Sequence, residues 1–198
     1  MFLRRESLKE YIRLYPVVSI LLILNIVMFI LLEWDGSSTS QRTLLEFGAM
    51  SNFPGYTEPW HFVSAMFLHI GFMHLLMNGF ALYVFAAPLE RMLGRWRFAL
   101  LYLVSGIIGN AVSLVAQQEA FIGAGASGAI YGVYAAYVYL SLFHKTAFGH
   151  HNASTIQTIV VVGVIYSIIT PNVDLYAHLG GFVGGFLMTT LYVQFRRR

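Results

Sequence analysis

A chain of 198 residues suits one domain, but 58% of these residues are hydrophobic and only 11% are charged, which excludes a water-soluble globule of that size. The absence of cysteine excludes disulfides, thiolate metal sites and a cysteine nucleophile. A net charge of +3 could suit nucleic acid, but the basic residues sit where a membrane topology puts them, so no nucleic-acid partner is expected.

Residues 1–15 carry Arg4, Arg5, Lys9 and Arg13, with Leu8, Tyr11, Ile12 and Tyr15 at i, i+3, i+4 and i+7. This spacing predicts an amphipathic helix lying on the membrane surface. Pro16 opens an apolar run to Leu32, enough to span roughly 25 Å of hydrocarbon. Glu33, Trp34 and Asp35 follow instead of a small-residue cleavage site, so the run reads as a retained first span. Residues 36–60, with Asn52, Pro54, Gly55 and Pro59, predict a long loop on the far side. Further apolar runs lie near 70–89, 98–115, 129–143, 154–170 and 177–193. Together these predict an all-α polytopic membrane protein, a single domain over 1–198 with six transmembrane helices.

Charge placement orients the bundle, because cytoplasmic segments collect Lys and Arg. With the N-terminus inside, the inner segments hold Arg4, Arg5, Lys9 and Arg13, then Arg91, Arg95 and Arg97, then Lys145, then Arg196, Arg197 and Arg198. Only Arg42 falls outside, where Glu33, Asp35, Glu46, Glu58, Glu119 and Asp174 collect. Both termini are therefore expected in the cytoplasm.

Polar residues inside a bilayer are costly and need a reason. The segment Gly123-Ala-Gly-Ala-Ser-Gly128 leaves the hydroxyl of Ser127 among residues too small to cover it, at the mouth of the fourth span. A nucleophile would suit that place, since its own N–H is unpaired in the first helical turn; a helix cap or a small-residue contact would suit it too. His74 and Asn78 are i, i+4 neighbours at the start of the second span, a pair that also fits plain interhelical hydrogen bonding. His69 and His74 are five apart and no Glu follows the first, so metal binding is not expected. His178 opens the sixth span, and Gly181 and Gly185 leave its face without bulk. Gly128 and Gly132 do the same beside Ser127, so the two helices can pack backbone to backbone and bring imidazole to hydroxyl. The second, fourth and sixth spans all run from outside to inside, which puts His74, Asn78, Ser127 and His178 at one outer depth.

The residue types then suggest roles. Ser127 is the candidate nucleophile and His178 the base that takes its proton and returns it to the leaving amine. Tyr131, one turn below Ser127, is placed to stack on the His178 ring. His74, Asn78 and the N–H of Ser127 form a candidate oxyanion site. Asp174, one turn before His178, is a weaker candidate for a third triad member, because an ordinary solvated acid would also sit there.

This pattern resembles the rhomboid intramembrane serine proteases over nearly the whole chain: six spans, the long first outer loop, Trp60, His69 to Asn78, the Glu90 to Gly94 turn, Gly125-Ala126-Ser127-Gly128, and Ala177-His178 with Gly181 and Gly185. A GxSG element alone is weak, since soluble hydrolases use G-x-S-x-G. The resemblance implies a Ser127–His178 dyad without an acid, an oxyanion site with His74 and Asn78, and cleavage of single-span membrane proteins near their outer boundary, with small residues favoured at the cut. It also implies that water reaches the dyad through a cavity open to the outside, and that the first loop and fifth span frame substrate entry. His61 follows Trp60 where the family often has Arg, and Val173 stands where it often has Gly. No cofactor or metal is expected, the partners being the lipid bilayer and single-span substrates, and the expected location is multi-pass in the plasma membrane of a bacterium. A catalytically silent rhomboid-like chaperone is the alternative, disfavoured because both Ser and His are present. A transporter is disfavoured because no acidic residue lies mid-span and the polar residues share one depth.

Overall fold

The computed structural model describes residues 6–144, 149–170 and 173–195, and these are mostly helical. Arg4, Arg5, Lys145, Arg196, Arg197 and Arg198, used above to orient the chain, lie outside the described residues.

Helix α1 (Leu8–Leu14) starts at a capping box in which Ser7 and Glu10 satisfy each other's backbone N–H. The hydrogen bonds from Ser7 hold the Glu10 carboxylate below its ordinary pKa. Tyr11 and Tyr15 are buried, and Tyr11 stacks on Tyr83 with centroids 4.8 Å apart. Leu8 and Ile12 are exposed, so the predicted single apolar stripe divides between protein and surroundings.

Helix α2 (Pro16–Asp35) has Pro at its first position, where a missing N–H costs nothing. Its next two N–H groups, Val17 and Val18, donate to the buried Glu90 carboxylate at 3.0 and 2.9 Å. Glu90 belongs to α6 (Ala87–Leu93), which continues α5 (Phe72–Ala81) through a π-helical turn at 82–86. The second apolar helix is thus longer than the predicted run, and a residue expected near an inner turn is a buried helix cap. His69 lies ahead of α5 and not on it, so its helical offset from His74 does not apply; the two rings sit edge to face, 5.2 Å apart.

The outer loop is more ordered than its turn residues predict. It contains α3 (Gln41–Glu46) and strand β1 (Met50–Ser51), and α4 (His61–Ser64) follows directly after it. Strand β1 pairs antiparallel with β2 (Ile122–Gly123), Met50 opposite Gly123 and Ser51 opposite Ile122. Asn52 clamps the ribbon by donating to the Glu119 carbonyl and accepting from the Phe121 N–H. The first loop is therefore tied to the segment that leads into Ser127.

Helices α7 (Arg95–Ala116), α8 (Ser127–Phe143) and α10 (Leu175–Phe195) form the close-packed centre, with α9 (Gly149–Ile169) against α8 and α10. Nearly every residue of α8 from Gly128 to Ser141 is buried. Glycine makes this possible. A Cβ on Gly181 would run into the Gly128 carbonyl, and one on Gly185 into the Gly132 carbonyl. Gly180 and Gly184 open the adjacent face of α10 to Val112, Ile108 and Ser105 of α7. Alternate pairs of glycines thus seat α10 against two helices at once.

Around this centre the outer helices expose Ile20, Ile23, Ile26 and Ile30 on α2 and Phe72, Leu76 and Phe80 on α5, as lipid-facing surfaces do. The helices Pro16–Asp35, Phe72–Leu93 and Arg95–Ala116 are each long and apolar enough to cross a membrane; Ser127–Phe143 and Ser154–Ile169 are shorter apolar helices.

Candidate active site

Helix α8 has only 17 residues, so the chain reaches its first turn through the non-helical segment Gly123 to Ala126. Backbone of that kind needs partners, and the Gly125 N–H finds one in the Ala65 carbonyl at 2.9 Å. Gly125 has φ of +136°, a conformation that side chains disfavour. A Cβ there would lie 2.8 Å from His74 Nε2 and 3.7 Å from Asn78 Nδ2. Glycine suits both the turn and the His74 ring, which leaves no room for a Cβ, while Asn78 would lie at ordinary contact distance.

Ser127 is the first residue of α8, half-buried, and Ala126 occupies the cap position without a side-chain hydrogen bond. The hydroxyl of Ser127 therefore does not cap its helix. His178 stands in the first turn of α10, 6% exposed. The Ala177 carbonyl lies 3.3 Å from where a Gly128 Cβ would be, so the backbones touch at the residues next to Ser127 and His178. No hydrogen bond joins Ser127 Oγ to His178 among the described residues.

Tyr131 stacks on the His178 ring, centroids 4.1 Å apart and planes 11° from parallel. His74 Nδ1 accepts from the Ile70 N–H at 3.3 Å, which leaves the proton of a neutral imidazole on Nε2, the nitrogen facing Gly125. Asn78 uses one amide hydrogen on the His74 carbonyl at 3.2 Å and keeps the other. Two side-chain donors thus face Gly125, two residues before Ser127, where the first N–H groups of α8 lack helical partners. Such donors suit an oxygen that is gaining negative charge.

Asp174 is engaged elsewhere. Its Oδ1 accepts from the Ala177 N–H at 2.9 Å, capping α10, and its Oδ2 accepts from Ser113 Oγ on α7 at 2.5 Å. The residue at His178 Nδ1 is Ser167 of α9, Oγ to Nδ1 2.7 Å, which sequence reading passed over. Its signal was present: Ser167 is a polar residue inside an apolar run, and such residues need partners. Nothing in that run said which helix supplied the partner.

The rhomboid domain family model matches residues 56–195. The rhomboid protein YdcA of Bacillus subtilis (strain 168) is 37% identical over 202 residues, covering 100% of this chain and 99% of the relative. The rhomboid protease GluP of the same organism is 38% identical over 164 residues, 82% of this chain and 32% of GluP. RHOMBOID-like protein 7 of Arabidopsis thaliana is 34% identical over 152 residues, 75% of this chain and 48% of the relative.

Proposed function

The chain belongs to the rhomboid family, and from that premise we propose that it is an intramembrane serine endopeptidase that cleaves single-span membrane proteins in or near the outer part of their transmembrane helix. The observation that carries this reading is the meeting of three helix starts. The backbones of α8 and α10 touch at Gly128 and Ala177, the residues next to Ser127 and His178, while His74 and Asn78 face Gly125 from α5, and this supports the dyad.

In this reading Ser127 Oγ turns onto His178 Nε2 as substrate binds, since catalytic hydrogen bonds often tighten only in the loaded site. Oγ attacks the scissile carbonyl carbon while Nε2 takes its proton. The oxyanion is met by the N–H of Ser127, Asn78 Nδ2–H and His74 Nε2–H. His178 then protonates the leaving amine, and water, deprotonated by His178, releases the acyl group from Ser127. Neither metal nor cofactor is needed. The substrate carbonyl can reach Ser127 only if its own helix unwinds, because a helical carbonyl is already hydrogen-bonded. Six spans with both termini in the cytoplasm, in the plasma membrane, complete the reading, which puts Ser127 below the outer surface under the loop clamped by β1 and β2.

The test is cleavage of a single-span substrate by the purified protein in lipid vesicles, with labelling of Ser127 by a fluorophosphonate. Ser127→Ala and His178→Ala are expected to fold, insert and leave substrate intact. Undiminished cleavage by Ser127→Ala would overturn the reading and favour a binding role.

A further inference from the structure

Resting on the protease reading above, we propose that Ser167 is a positioning residue which holds His178 in the tautomer protonated at Nδ1, leaving Nε2 to face Ser127 as the base.

One hydroxyl has one hydrogen and two acceptor sites, and Ser167 Oγ has three neighbours: the Gly163 carbonyl at 2.9 Å, Tyr131 Oη at 2.8 Å and His178 Nδ1 at 2.7 Å. The Gly163 carbonyl can only accept, so the Ser167 hydrogen goes there. Both remaining neighbours must then donate, Tyr131 through its O–H and His178 through Nδ1–H. In that arrangement all three contacts are hydrogen bonds and every donor is used. The opposite arrangement, with Ser167 donating to Nδ1, would forfeit the Gly163 bond and put a hydrogen on Nε2, where it could not accept from Ser127.

The surroundings fit the same assignment. Ser167 and His178 are 4% and 6% exposed, so neither polar atom has an easy alternative in water. Stacking on Tyr131 confines the imidazole plane but leaves the ring free to turn within it, and the bond from Nδ1 removes that freedom. Gly163 keeps space for the Tyr131 hydroxyl, since a Cβ there would lie 3.0 Å from it. Asp174, the only carboxylate one turn from His178, is held by Ala177 and Ser113. A serine can accept from Nδ1–H as a carboxylate would, without putting a charge inside the bundle. Three helices supply the three parts, so the base is correctly oriented only when α9 is docked.

The experiment uses the full chain in lipid bicelles, labelled with 15N-histidine, and reads the ring nitrogens of His178 beside cleavage kinetics. The expected spectrum is a single Nδ1–H tautomer in the parent protein and in Ser167→Thr, which keeps the hydroxyl. Ser167→Ala is expected to lose the single tautomer and roughly 10-fold or more in kcat, with KM unchanged, the size of effect that loss of an outer partner has on metal-bound histidines. An Nε2–H tautomer in the parent overturns the proposal, as does Ser167→Ala with the parent spectrum and kcat. Should Ser167→Ala fail to fold, the parent and Ser167→Thr spectra still decide. The tautomer is read without substrate, so loss of the protease reading through Ser127→Ala is a separate result.

Discussion

Asp174 and Ser167 show how the environment of one side chain sets its work. Asp174 has the chemistry of a triad acid and the right spacing from His178, yet both of its oxygens are committed to Ala177 and Ser113. It stabilises the start of α10. Asp174→Asn keeps an acceptor for the cap, and cleavage within about twofold of the parent is expected; a fall near ~10⁴-fold, as in acid-supported triads, would return Asp174 to the chemistry. Asp174→Ala removes the cap and is expected to cost about 0.5–2 kcal/mol, read as a lowered melting temperature with Ser127 still labelled. The oxyanion donors should behave differently. Loss of Asn78 or His74 is expected to lower kcat by roughly 10²-fold or more with little change in melting temperature, and parent rates in both singles and the double would dismiss the assignment.

Helix α10 shows why a glycine pattern is read best as faces. Gly181 and Gly185 meet the backbone of α8, whereas Gly180 and Gly184 meet α7, mainly through side chains. Backbone cannot move aside as a side chain can, so the cost of an added methyl depends on which face carries it. Gly181→Ala is expected to lose about 3 kcal/mol of stability or more and most of the activity, because it pushes α10, and His178 with it, away from α8. For Gly184→Ala a Cβ would lie 3.1 Å from Ile108 Cδ1, which can turn away, and 3.2 Å from the Ser105 Cα, which is backbone, so a loss smaller than that of Gly181→Ala is expected, reduced further by a helix-propensity gain of roughly 1 kcal/mol. Unfolding titrations in detergent micelles that ranked the two variants equally would refute this division of faces. The Gly128 and Gly181 contact was legible from small residues at helical spacing; that Gly180 and Gly184 seat a third helix was not, since period alone does not say how many neighbours a helix has.

At the scale of the molecule, the outer loop and the approach to Ser127 form one body through β1 and β2, and the opposite end is tied by Glu90 to the start of α2. Charge placement predicts which end faces the cytoplasm, and the natural absence of cysteine makes a direct test simple. A single cysteine at Glu119 is expected to react with a membrane-impermeant maleimide in intact cells, and one at Arg91 only after permeabilisation. The reverse pattern would invert the bundle and move the candidate site to the inner face.

From the sequence alone, apolar runs determined a helical membrane protein, and the motifs around Ser127 and His178 determined its family, because hydrophobic length and small-residue spacing are properties of one helix at a time. The glycine faces that let α8 and α10 touch were likewise written into local spacing. Only the tertiary structure decided that Glu90 caps α2, that the outer loop pairs with residues 122–123, and that Ser167, not Asp174, meets His178 Nδ1. Each of those contacts joins segments far apart in the chain. Whether such a pair meets depends on how helices are rotated about their own axes, and that rotation is set by the packing of the whole bundle.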